Sequence, residues 1–290
     1  MNRKRFLLLL ILVLLLLGGT WWLQRIPRRQ EAQQPVVTHE EGKEERAATP
    51  SKELPTPPVG EGRPEAKRAG SHRIAIIIDD LGYNGRNYRP FLTIPYPLSL
   101  AILPSQPYSE RIAREAIGQG KEVLLHLPLE PHGYPEKDPG KGVILSGMSE
   151  EEMRRVFSQD LKSIPGAVGV SNHMGSRLME EEEAMRTLLL EMKRKDLYFV
   201  DSVTTRNTIA PQLAKELGVR VGARRIFLDN SPERSYIEGQ IRSLSRIAKR
   251  DGSAIGVGHP YAITASVLQE LLPHLEKEGI DLVPASQLVR

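Results

Sequence analysis

The sequence predicts an α/β fold, an irregular (β/α) barrel of seven or eight parallel strands. Three observations lead there. Short apolar runs alternate with amphipathic stretches about seven times between residues 73 and 290, the pattern of a parallel sheet with crossover helices. Helix-capping signals and glycines punctuate the boundaries between them. Ionisable residues stand at the C-terminal ends of six of the eight runs, where parallel α/β folds build their sites. An open, doubly wound sheet is the second reading. The sequence has no internal repeat and no phosphate-binding glycine fingerprint.

The chain of 290 residues opens with Arg3, Lys4 and Arg5, followed by a Leu-rich uncharged run from Phe6 to Gln24. About 18 such residues rise ~27 Å as a helix, enough to cross a bilayer. Trp21 and Trp22 suit an interfacial belt, and the basic start keeps that end cytoplasmic. Residues 1–25 are therefore expected to anchor the protein in the membrane, with the remainder exported to the periplasm or cell exterior. A cleavable signal peptide is the competing reading, but no A-x-A-like site follows the run. Residues 26–72 are rich in Glu, Pro, Lys, Arg and Ala and poor in large apolar side chains. They are expected to be a disordered linker, with a partner-binding tail as the alternative.

Cysteine is absent, so an exported domain of this size must rely on its core alone. The net charge of +4 comes without a basic stripe interleaved with aromatics, which excludes a nucleic-acid footprint. Aromatics at 5% argue against a long sugar-stacking cleft.

The folded region is expected over 73–290. Its first strand, Ile74–Asp80, is a run of Ile and Ala closed by two carboxylates and Gly82. Adjacent strand residues point to opposite faces, so Asp79 and Asp80 should differ in role. One could hold a metal while the other takes a proton; a helix cap and an arginine partner are the bland alternatives. Further strands are expected at Leu98–Leu103, Glu122–Leu127, Ala167–Asn172, Leu197–Asp201, Arg220–Leu228, Ala254–Gly258 and Ile280–Val283. Ser149 and Glu152 form a capping box before a helix reaching Ile164. Glu180 to Glu183 complement the dipole of the next helix, with Lys193 to Lys195 near its end. Ser231-Pro232 is expected to start another helix. Gly120, Gly218, Gly252 and Gly279 stand where C-terminal caps belong, and Pro273 should kink or shorten the last helix.

Of the seven histidines, His126, His173 and His259 fall at strand ends; His39, His72, His132 and His274 do not. Three imidazoles converging with a carboxylate pair point to a site. One carboxylate and two imidazoles are the ligands a catalytic divalent metal takes, with a position left for water. A second carboxylate can act as base and a further histidine as acid. Serine nucleophiles fit less well, because Ser176 and Ser202 lack the G-x-S-x-G elbow.

Six stretches carry a resemblance. They are Ile78-Asp79-Asp80, His126 to Pro131, Asn172 to Arg177, Phe199 to Ser202, Phe227 to Asn230 and Gly258-His259-Pro260. With them, residues 73–290 resemble the divergent polysaccharide deacetylases, exported relatives of the NodB-type carbohydrate esterases. The resemblance implies a distorted NodB-like barrel, a divalent metal, usually zinc, and deacetylation of an envelope polysaccharide or peptidoglycan amino sugar. It implies Asp79 as base, Asp80 and His173 as metal ligands and His259 as acid.

NodB-type enzymes place a second ligand histidine four residues after the first, where this chain has Arg177. His126 is therefore the expected third ligand, with Glu130, Asp201 and His132 in reserve. Where the family tends to carry an acid after the strand-six arginine, this chain has Arg225. Glu130, Asn172, Arg177, Asp201, Arg224 and Asp229 remain as candidates for contact with the glycan. A non-catalytic envelope protein that binds glycan or a partner is the alternative function, and hydrolysis of another amide or ester is a third.

Overall fold

The structure is a computed structural model that describes residues 72–290. The expected anchor, residues 1–25, and almost all of the linker lie outside the described residues. Among the described residues no helix is long and apolar enough to cross a membrane.

Seven parallel strands close into a barrel, and an eighth is added at the seam. They are β1 (His72–Leu81), β2 (Ser99–Ile102), β3 (Glu122–Leu129), β4 (Gly169–Met174), β5 (Tyr198–Asp201), β6 (Val221–Phe227), β7 (Ser253–Gly258) and β8 (Ile280–Leu282). All eight lie where the apolar runs placed them, within two residues at each end. His72, assigned to the linker, is the first residue of β1, because its backbone continues the ladder opposite Ile280.

The irregularity of the barrel is concentrated on β1. One edge pairs with β7 from Arg73 to Ile78. The other edge pairs with β8 over residues 72–74 and with β2 from Ile77 onward. Beyond Ile78 the β2 register slips by one residue, so β1 carries a bulge at Asp79-Asp80.

The helices are α1 (Arg89–Thr93), α2 (Ser109–Gly118), α3 (Glu150–Lys162), α4 (Glu182–Arg194), α5 (Ala210–Leu217), α6 (Arg234–Asp251) and α7 (Ala262–Lys277). The expected capping box is present at α3: Ser149 accepts from the Glu152 amide, and Glu152 accepts from the Ser149 amide. Gly218 and Gly252 cap α5 and α6 in the left-handed conformation, where a Cβ would be strained. Two helix signals are corrected. Glu233 is extended and directly precedes α6, which starts at Arg234, so Ser231 is not its cap. Pro273 lies inside α7 without shortening it; the buried Leu272 and Leu275 hold the helix to the barrel on both sides of the proline.

Alternation along the strands divides the core in two. Ile74, Ile76 and Ile78 of β1, with Leu125 and Leu127 of β3, face the helices in the large outer layer. Ala75, Ile77, Leu124, Tyr198, Val200, Ile255 and Val257 fill the barrel, joined from below by Ala285, Leu288 and Val289. The backbone of Arg290 exchanges two hydrogen bonds with Val221, which fixes this plug against β6.

Candidate active site

Counting by twos from the interior residues leads straight to the barrel mouth. Ile77 leads to Asp79, Leu124 to His126, Ser171 to His173 and Val257 to His259. Asp80 belongs by parity to the outer face, but the bulge turns it inward with a left-handed φ of 57°. The expectation that Asp79 and Asp80 point to opposite faces therefore fails at this bulge, and both carboxylates face His126.

Three atoms converge there. Asp80 Oδ1 lies 2.9 Å from His173 Nδ1 and 3.1 Å from His126 Nε2, and the two nitrogens are 3.2 Å apart. Ligands about 2.0 Å from a tetrahedral ion stand about 3.3 Å from one another, so this triangle has nearly the dimensions of one face of such a shell. His126 is fixed from behind: its Nδ1 lies 2.8 Å from Ser171 Oγ, directly across the ladder. Donation from Nδ1–H to that hydroxyl leaves the Nε2 lone pair aimed into the mouth.

Asp79 is fully buried beside the triangle, with Oδ2 3.7 Å from His126 Nε2. Its Oδ1 is buried without a hydrogen-bond partner, an orphan polar atom on a side chain packed beside a cluster of ligand-type atoms. The donor set and this orphan atom together fit a bound divalent cation.

Opposite stands His259. Asp229 accepts from its ring Nδ1 at 2.8 Å and from its backbone N–H at 2.7 Å, and Thr264 donates to the same carboxylate at 2.7 Å. This fixes the ring with Nε2 facing the mouth, 3.8 Å from Asp80 Oδ2. Phe227 stacks on one side of the ring and Tyr261 tilts against it.

Electrostatics follow from these contacts. Burial pushes the Asp79 carboxyl above its usual range. Burial also acts against ionisation of Asp80, but hydrogen bonds and charge from His126 and His173 outweigh it and hold that carboxyl well below the usual range. Burial opposes the imidazolium of His126 and of His259, and in each the neighbouring carboxylates outweigh it and push the ring up. Just outside, burial and then the Asp80 charge push the Tyr83 hydroxyl up.

The other candidates do different work. Asn172 is a buried strut: its amide donates to Met174 O at 2.8 Å and accepts from the Ser202 N–H at 2.7 Å. Asp201 is buried beneath the next loop, accepting from Val203 N–H and Thr208 Oγ1. Arg224 lies over the Phe227 ring and donates to the carbonyls of Ser202 and Val203. Glu130 accepts two bonds from Ser146 and pairs with the half-exposed Arg177 at 3.0 Å. In all six, Asp229 included, polar atoms are engaged by neighbouring residues of the barrel mouth and its loops. His132 pairs with Glu180 at the exposed rim, and Arg225 pairs with Asp251. Ser171 and Thr264 were missed as supports. Ser171 had a signal, two residues before His173 on the same face; Thr264 had none, because its partner is Asp229, far back in the chain.

Comparison with known proteins agrees with the fold and the stretches quoted above. The family model for divergent polysaccharide deacetylases matches residues 76–289. The uncharacterized protein YibQ of Escherichia coli K12 is 38% identical over 217 residues, covering 75% of this chain and 67% of its own. An uncharacterized protein of Haemophilus influenzae is 36% identical over 218 residues, covering 75% of this chain and 77% of its own. The crystal structure of an uncharacterized protein from Agrobacterium tumefaciens C58 superposes with a TM-score of 0.73 at 26% identity, covering 77% of this chain and 91% of that one.

Proposed function

The chain belongs to the divergent polysaccharide deacetylase family, and on that premise we propose that it is a metal-dependent hydrolase removing acetyl groups from an envelope polysaccharide or peptidoglycan amino sugar. The observation that carries the reading is the triangle of Asp80, His126 and His173, flanked by Asp79 on one side and His259 on the other.

In this reading Asp80, His126 and His173 hold a divalent cation, zinc by preference for the two imidazoles and one carboxylate. When bound, such a cation acidifies a water and polarises the acetyl carbonyl. Its charge also reverses the electrostatics of the neighbouring groups, favouring ionised Asp79 and neutral His126. The Asp79 carboxylate, packed beside His126, accepts the proton of the attacking water. His259, with Asp229 bonded to Nδ1, carries its transferable proton on Nε2 and delivers it to the departing amine. The Asp229 carboxylate on Nδ1 favours the protonated ring and so helps keep that proton in place before transfer. Asn172, Asp201, Arg224 and the Glu130–Arg177 pair hold the loops that surround these groups. The Leu-rich N-terminal run would anchor the protein, placing the barrel beside its glycan.

The test is bound metal per protein by elemental analysis, followed by acetate release from several N-acetylated envelope polymers. Stoichiometric metal and metal-dependent acetate release are expected. A protein that binds glycan but releases no acetate from any polymer overturns the catalytic reading.

A further inference from the structure

A cleft of about 470 Å³ lies at the same end of the barrel as the mouth, built by the loops that follow β1 and β2. Its lining includes Tyr83, Arg86, Arg89, Tyr108 and Arg111 and, among the described residues, no acidic side chain. Arg111 is paired with Glu115 at 2.7 Å, and that carboxylate is also held by the Tyr88 hydroxyl at 2.6 Å. Arg86 and Arg89 form no ion pair among the described residues. Glu115 is the carboxylate that Arg111 pairs with and that Arg89 also lies near, so three guanidinium groups share one acid and the cleft keeps an excess of positive charge.

The cleft is also walled by tyrosines. Tyr83 is 54% exposed and Tyr108 37%, large rings left open beside the charges. Tyr108 lies directly on Gly85, where an added Cβ would come within 2.7 Å of the ring, so the glycine is what lets the ring lie flat on the loop. Tyr83 links cleft and mouth by its place in the chain: it lines the cleft and follows Asp80 by three residues on the loop that leaves β1. A molecule filling both would put an anionic group among the arginines and a neutral acetylated sugar over Asp80, His126 and His173.

We propose that this cleft binds an anionic substituent, carboxylate or phosphate, on the same glycan chain whose acetyl group enters the mouth, making acidic amino-sugar polymers the substrate class. The proposal rests on the deacetylase reading for the identity of the molecule in the mouth. Volume supports it, because the cleft is larger than a lone anion needs and suits a substituted sugar unit.

The experiment uses the full-length protein and three N-acetylated oligosaccharides of equal length: neutral N-acetylglucosamine only, alternating N-acetylmuramic acid bearing carboxylates, and a phosphate-substituted form. Acetate release and calorimetric binding are measured for the wild type and for Arg86→Gln/Arg89→Gln. The expected result is a lower KM for the acidic oligomers, raised about 10-fold per arginine removed, with kcat and the neutral oligomer unchanged. Inorganic phosphate should compete with the acidic oligomers and not with the neutral one, a readout that needs no variant. Which acidic oligomer binds more tightly identifies the anion. Acidic binding that disappears in the variant, without acetate release from any oligomer, supports the cleft and rejects the deacetylase reading. Equal KM or affinity for neutral and acidic oligomers in the wild type, or no change in the variant, overturns the cleft.

Discussion

His126 Nε2 and His173 Nδ1 stand 3.2 Å apart, two ring nitrogens from neighbouring strands converging on one point with Asp80. Two imidazoles in that arrangement are better explained by a shared cation than by a hydrogen bond between them. Alanine at Asp80, His126 or His173 is expected to lose most bound metal. Ser171→Ala, which frees His126 Nδ1, should weaken metal affinity about 10- to 100-fold while leaving the ligands present. Elemental analysis and a chelator titration check both. Full metal occupancy in His126→Ala would remove it from the ligand set.

Asp79→Asn and His259→Ala are expected to keep the metal and to lose about 10²- to 10⁴-fold in turnover, the usual contribution of a positioned base or acid. Asp229→Asn should cost less and should alter the pH–rate profile, because the His259 ring remains but its orientation and charge are no longer set. Loss of metal in Asp79→Asn would make it a ligand or ligand support instead. Wild-type turnover in both Asp79→Asn and His259→Ala would sink the acid–base assignment.

Asp160 on α3 supplies a pH prediction away from the site. Its carboxyl is buried, Oδ2 has no partner, and burial pushes its pKa up to about 8. An acid whose folded pKa exceeds its unfolded value binds more protons when folded, so its contribution to stability is full below about pH 4 and is lost as pH rises toward 8. Asp160→Asn is expected to flatten the stability–pH curve across that window and to raise stability near pH 8 by about 1–3 kcal/mol, since no buried charge then lacks a partner. Thermal melts of wild type and variant from pH 4 to 9 decide this; an unchanged slope would show that Asp160 finds a partner when ionised.

Arg177→Ala should leave metal content unchanged and cost no more than about 1 kcal/mol. The pair with Glu130 is half exposed, and Glu130 keeps its two bonds from Ser146. A strong loss of metal or of folding in this variant would give Arg177 a role that its contacts do not show.

The N-terminal run predicts that the full-length protein sediments with membranes and resists an alkaline carbonate wash. Recovery in the soluble fraction with an intact N-terminus would count against an anchor.

The strands were legible because each is a short apolar run, six of the eight ending at polar residues, and both signals are local. The inward histidines were legible too: a two-residue count from Ile77, Leu124 or Val257 reaches Asp79, His126 or His259. What a count cannot show is a bulge, and the bulge is what brings Asp80 round to the same side as Asp79. Nor could local pattern show that Asn172 and Asp201, on the outer parity, hold loops. Their work depends on partners such as Ser202 and Thr208, chosen by how the loops fold back. Glu130 and Arg177 looked like site residues because they are charged and follow strands; they satisfy each other across 47 positions of sequence.

The two-sided pairing of β1 has a bearing on how the protein is made. The first strand to leave the ribosome finds its neighbours β7 and β8 only when the last segments have followed it. Until then its long apolar edge is open and the barrel cannot close. Asp79 and Asp80 therefore meet His259 only at the end of synthesis, and a chain cut short before β7 would carry the carboxylates without the histidine opposite them. Such topology, dominated by contacts between distant segments, folds slowly. The interval between emergence and closure is therefore the period when β1 most needs protection from pairing with the wrong strand.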